Sequence, residues 1–104
     1  MSKKKKDEDE DVFYVKIASH EYKVSQKPLF LREGTAGTCR TQALEIEIDD
    51  AIPVSAQEEA LVHEIIEAIN YHYELELEHN KITVLGAALH QVLAENPHLT
   101  FGQQ

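Results

Sequence analysis

The chain has 104 residues, 42% of them hydrophobic and 28% charged, with a formal net charge of −9. That length sets one domain with a modest core, and the acidic balance argues against general binding to nucleic acid or to an anionic membrane surface. The single cysteine, Cys39, excludes an internal disulfide and a cysteine-rich zinc site, and no apolar run approaches the roughly 18 residues of a membrane span.

Residues 2–11, SKKKKDEDED, set four lysines before a block of acids. Such a segment cannot bury surface and reads as a disordered, solvated tail over residues 1–11. A localisation or nucleic-acid patch is the other reading of the lysines. No apolar segment follows that would make a signal peptide, so a cytoplasmic protein is expected.

Residues 12–97 read as the domain. Val12 to Val24 is rich in β-branched and aromatic residues, and Val15 and Ile17 alternate around Lys16 as on a half-buried strand. Ser19-His20-Glu21 is the expected turn, where His20 faces water rather than serving as a remote ligand. Gln26 to Asp49 reads as a hairpin. Leu29 to Arg32 would be one strand, Glu33 to Gly37 the turn, and Thr38-Cys39-Arg40 would run on into Leu44-Glu45-Ile46-Glu47-Ile48. Leu44, Ile46 and Ile48 alternate with acids, which gives one core face and one wet face. Cys39 reads as a small buried apolar residue.

Pro53 blocks further strand. Ser55 and Glu58 form an S-x-x-E capping box, so a long helix is expected from near Ala56. Its apolar stripe is Val62, Ile65, Ile66, Ile69 and Tyr73. His63 and Glu67 are four residues apart and therefore share one helix face. Glu64, rotated by about 100° from His63, would stand beside that pair. A second helix is expected from about Asn80 to Ala94, stopped by Asn96-Pro97. Gly86 inside it would permit close approach of another helix or of a site. His79 opens this helix. His72 lies about half a turn around from His63, outside any shared site, and His90 reads as structural or as a contact near the site. Residues 98–104 read as a loose tail.

This spacing follows the logic of H-E-x-x-H, in which two helix-borne histidines hold zinc and the glutamate is the general base. Here the run is His63-Glu64-Ile65-Ile66-Glu67. Catalytic zinc commonly takes two histidines and one glutamate. His63, Glu67 and His79 supply that set, with Glu64 as base; iron(II) or manganese would suit it too.

Leu44 to Pro97, about half the chain, resembles the small zincin-like metallopeptidase domains of bacterial and phage genomes. The strand Ala43 to Asp49, the helix bearing LVHEIIEAI and the following helix ending AENP carry the resemblance. It implies an α+β fold, a small antiparallel sheet packed on two helices, with a following helix donating the third ligand. It also implies a peptide or protein substrate, and a strand at 44–48 that edges the cleft and could pair with an extended peptide. The departure is one ligand: Glu67 stands where histidine is usual, and His79 where glutamate often serves.

Three functions compete. The first is a zinc metallohydrolase acting through a metal-bound water. The second is a non-catalytic interaction or regulatory protein on the same fold. The third is a magnesium or di-iron helical enzyme, from Glu64-x-x-Glu67 and Glu76-x-x-His79. Substrate, metal identity and oligomeric state are not encoded in any motif of the chain.

Overall fold

A computed structural model describes residues 11–30 and 35–99. In order, these form β1 (Val12–Ile17), β2 (His20–Lys27), β3 (Gly37–Arg40), β4 (Glu45–Asp49), α1 (Val54–Tyr73) and α2 (His79–Glu95). The protein is α+β. The expected tail falls within residues 1–10 apart from Asp11, and residues 1–10 lie outside the described residues, as do 100–104 of the expected C-terminal tail.

β1 and β2 form an antiparallel hairpin in which Val15 faces Tyr22 and Ile17 faces His20. The two-residue turn is Ala18-Ser19, both with positive φ (51° and 71°). This is the turn geometry that matches strand twist. It lies one residue earlier than expected, so His20 begins β2 instead of sitting in the turn.

The second hairpin also differs from the expectation. Leu29 and Phe30 are not strand, and residues 31–34, the remainder of the expected strand and the start of its turn, lie outside the described residues. The antiparallel partners are β3 and β4, with Cys39 opposite Ile46, joined by a turn over Thr41–Leu44. Leu44 takes φ 57° there. β4 then pairs in parallel with β2, Val24 beside Ile46. The strand order is β1-β2-β4-β3, so the sheet is mixed rather than wholly antiparallel. It follows that β4 is interior. Residues 44–48 are therefore not the edge expected of them, and β3 is the outer strand on that side of the sheet.

One sheet face makes the core. Ile17, Tyr22, Val24, Ile46 and Ile48 are buried together with Ala60 and Ala68 of α1. The opposite face carries Lys27, Arg40, Glu45 and Glu47 in ion pairs of 3.1–3.3 Å. These are solvent-facing and contribute little each, but they keep that face wet.

α1 begins at Val54, after Pro53, and the capping box does not form: no side chain caps the helix. Ser55 sits inside the first turn, and the Gln57 amide instead donates back to the Ile52 carbonyl at 2.9 Å. The helix lays a small-residue stripe, Ala60-Glu64-Ala68, against the sheet. Of the expected apolar stripe, Ile66 is buried, whereas Tyr73 is 60% exposed. α2 packs on α1 and leaves most of its own surface to solvent; only Ile82 and Gly86 are buried. No helix among the described residues is long and apolar enough to cross a membrane.

Candidate metal centre

The link between the helices decides where His79 goes. α1 ends without a glycine because Glu74 takes the left-handed C-cap (φ 52°), its N–H turned back to Asn70 and Tyr71. The Asn70 side chain then clamps the link. Its amide donates to the Leu77 carbonyl at 3.3 Å, and its oxygen accepts the Leu77 N–H at 2.9 Å. The chain therefore reverses within five residues, and α2 runs back along α1.

Gly86 sets how close it runs. A Cβ built there would lie 3.3 Å from the His63 Cα and 3.4 Å from its Cβ. The glycine is the contact point of the two helices, at the backbone of His63 itself. Gly86→Ala gains about 1 kcal/mol of helix propensity and loses a similar amount to overpacking. We expect a melting temperature within a few degrees of wild type, and a weaker divalent-metal affinity by about tenfold, read by calorimetric titration, because the helices are wedged apart at His63. Asn70→Ala removes both clamp bonds. It should cost about 1–2 kcal/mol in urea unfolding and lower the same affinity by freeing the link that carries His79.

The result is a tight cluster. Glu67 Oε2 lies 3.3 Å from His63 Nε2 and 3.3 Å from His79 Nδ1. The two imidazoles meet edge to face, centroids 5.2 Å apart. One donor atom from each of the three residues falls within 4.8 Å of the others. A tetrahedral ion with ligands at about 2.0–2.1 Å separates its ligand atoms by about 3.3 Å. The two histidine–glutamate distances already have that value, and His79, 75% exposed, has the freedom to close the remaining edge. The donor set, two imidazoles and a carboxylate, suits a borderline divalent ion.

Glu64 lies apart from this trio and is more buried than expected. It is 8% exposed and accepts no hydrogen bond from any described residue. It is pushed up to about 7, first by burial and then by the Glu67 carboxylate. Two cavities, of about 380 and 470 Å³, flank the trio, and Glu64, His63 and His79 line both. A carboxyl that is neutral or charged near pH 7, facing space beside a histidine/glutamate trio, has the properties of a general base or acid.

Two residues at the site were missed from the sequence. Gly37 opens β3 where a Cβ would strike Glu47 O and Ile48 Cδ1 at 2.9 Å and approach Glu64 Cγ at 3.4 Å. Cys39 lines the second cavity. Its thiol is pushed up to about 12 by burial and then by Glu64 and Glu67, which leaves it protonated and unreactive. A correct placement of the β3–β4 turn would have found both, since the pairing puts Gly37 opposite Ile48 and Cys39 opposite Ile46 on the inner face.

The other histidines stand elsewhere. His72 shares a 2.6 Å hydrogen bond with Tyr22 and stacks on His20 at 4.7 Å. His90 pairs with Glu58 at 3.3 Å, a structural contact between the helices. Glu76 lies in the link with φ 61°, so Glu76 and His79 do not share a helical face as a di-iron pair would.

Comparison with protein-family models, with curated proteins and with solved structures finds no match to this chain.

Proposed function

We propose that the protein is a metal-dependent hydrolase of peptide-like substrates, with His63, Glu67 and His79 as metal ligands and Glu64 as general base. One observation supports it above the rest: a single carboxylate oxygen stands 3.3 Å from two imidazoles carried by different helices, while the largely buried Glu64 faces the cavities beside them. Zinc at such a site supplies Lewis acidity, polarising a carbonyl and making water acidic near neutral pH. Glu64 accepts the proton of the attacking water and returns it to the leaving amine. In the metal-free protein, burial and then the Glu67 carboxylate raise it to about 7.

A peptide substrate is supported by the position of β3. It is the outer strand of the sheet, and Gly37 and Cys39 of the same strand line the cavities. An extended peptide added to that edge would lie along the strand that lines the cavities beside the metal ligands. A zincin-like relationship is part of this reading, with glutamate and histidine exchanged between the second and third ligand positions.

The rival is an interaction protein in which the same trio holds a structural ion or simply hydrogen-bonds, as the imidazole of His79 does to Glu67. Glu64→Gln separates the two. The hydrolase reading expects one equivalent of zinc retained and turnover of an unstructured protein substrate reduced by at least about a hundredfold. Unchanged function with retained metal favours the rival.

A further inference from the structure

The side of α2 that faces away from the metal centre is apolar, and none of the described residues covers it. Val84, Leu85, Leu89 and Val92 are 39–66% exposed, and Ala88 among them is exposed as well, whereas Leu93 falls on the Gly86 side of the helix. At about 100° per residue, Leu85, Ala88, Leu89 and Val92 fall on one stripe, roughly a quarter to half a turn from the Ile82-Gly86-His90 line that meets α1. Thr83 and Ala87, which line the first cavity, fall on the other side. Together these side chains expose on the order of 400 Å² of surface, the size of the largest patch on a lone domain and often a functional one.

Its charges indicate what covers it. Lys81 and Glu95 lie on the edge of the same stripe, each seven residues from Ala88, one before it and one after. Lys81 makes no ion pair among the described residues, and Glu95 only accepts the Gln91 amide at 2.8 Å. Two copies of this helix crossing antiparallel at Ala88 would place Lys81 of each opposite Glu95 of the other. Val84 would then meet Val92 and Leu85 would meet Gln91, and the small Ala88 would permit close approach at the axis. A stripe with opposite charges at equal distances from a small central residue is complementary to itself under two-fold rotation.

We propose that this face is a homodimer interface, an antiparallel α2–α2 contact centred on Ala88 and closed at both ends by Lys81–Glu95 pairs. With the stems of the exposed Lys81, Gln91 and Glu95 included, burial from two copies comes to about 1,000 Å², the lower bound for a specific interface, so the dimer is a concentration-dependent one. The metal centre stays open on the far side of the helix, and the assembly neither needs nor blocks it.

The test is sedimentation equilibrium of the full chain from about 1 to 300 μM, the range in which interfaces of this size dissociate. The expected mass rises from one protomer of 11.8 kDa toward two. Leu85→Glu with Leu89→Glu, both solvent-facing in the protomer, should hold the mass at one copy with an unchanged far-UV spectrum. Lys81→Glu should weaken association by about tenfold, the effect of placing like charges at both ends. Adding Glu95→Lys to it should restore association, a readout that nonspecific apolar clustering would not give. A single-copy mass throughout, a dimer unaffected by the double glutamate, or a charge reversal without rescue would each overturn the proposal, the first of them leaving the face to a different partner.

Discussion

Glu64→Gln is expected to make the metal-free protein more stable than wild type at pH 8 by about 3 kcal/mol, and no more stable at pH 4. The sign follows from the carboxyl's surroundings. Burial and the neighbouring Glu67 raise it from 4.5 to about 7 in the folded chain. Below pH 4.5 it is protonated in both folded and unfolded chains and costs nothing. As pH rises through the window from about 4.5 to about 7, the unfolded chain loses the proton first, and folded stability falls. A shift of this size corresponds to about 3 kcal/mol, since one unit is about 1.4 kcal/mol. Glutamine keeps the shape and cannot ionise, so the variant escapes the penalty. For a domain of this size the difference is about 10 °C or more in melting temperature. Thermal melts in the presence of a chelator at pH 4, 6 and 8 provide the measurement. Groups that do not interact with Glu64 are common to both proteins and cancel in the difference, and the release of Glu67 from its neighbour's charge acts in the same direction, so parallel melting curves at all three pH values would refute a buried, perturbed Glu64. A residue that lowers stability when replaced is ordinary. One that raises it when neutralised is held there against stability, which is the signature of a functional group.

Helical spacing made part of this site legible and hid the rest. The period of four that joins His63 to Glu67 is local, and it survives whatever the tertiary structure does. The convergence of His79 is not local. It depends on Glu74 and Glu76 taking left-handed backbone where glycine is usual, and on Asn70 holding Leu77 from both sides. Nothing in the spacing of residues 70–78 announces that clamp. The burial of Glu64 is not legible in the spacing either, which places it only beside the His63–Glu67 pair. What decides it is the sheet: α1 turns its smallest residues, Ala60 and Ala68, toward β3 and β4, and Glu64 lies between them at helical spacing. Strand alternation found the core faces at Val15, Ile17, Ile46 and Ile48, because period two is also local. It could not find that β4 lies between β2 and β3, since the parallel pairing spans residues 23–49 and leaves no short-range mark. The lost capping box has a simple cause. Pro53 starts the helix two residues early, and Ser55 is then inside it.

Zinc is expected to raise the melting temperature of wild-type protein by about 10 °C or more when present at 100 times its dissociation constant, because binding to the folded chain alone stabilises by about 2.7 kcal/mol at that excess. His79→Ala should show almost none of this. His79 is 75% exposed, with Glu67 as its side-chain partner. Removing it therefore changes the stability of the metal-free protein by no more than about 0.5 kcal/mol, while it deletes one of three ligands and weakens binding by more than the 10–100-fold typical of a lost supporting contact. His90→Ala, on the same helix but paired with Glu58, should keep the full zinc response. An equal rise in wild type and His79→Ala would place the ion elsewhere and remove the support for the hydrolase. The two large predictions also constrain each other. A cation held by His63, Glu67 and His79 lies beside Glu64 and favours its charged form, so zinc should cancel the loss of wild-type stability between pH 4.5 and 7 and erase the advantage of Glu64→Gln at pH 8. If zinc instead stabilises both proteins equally at pH 8, the metal does not sense residue 64, and a glutamate that a bound metal does not sense is too far away to take a proton from water activated there.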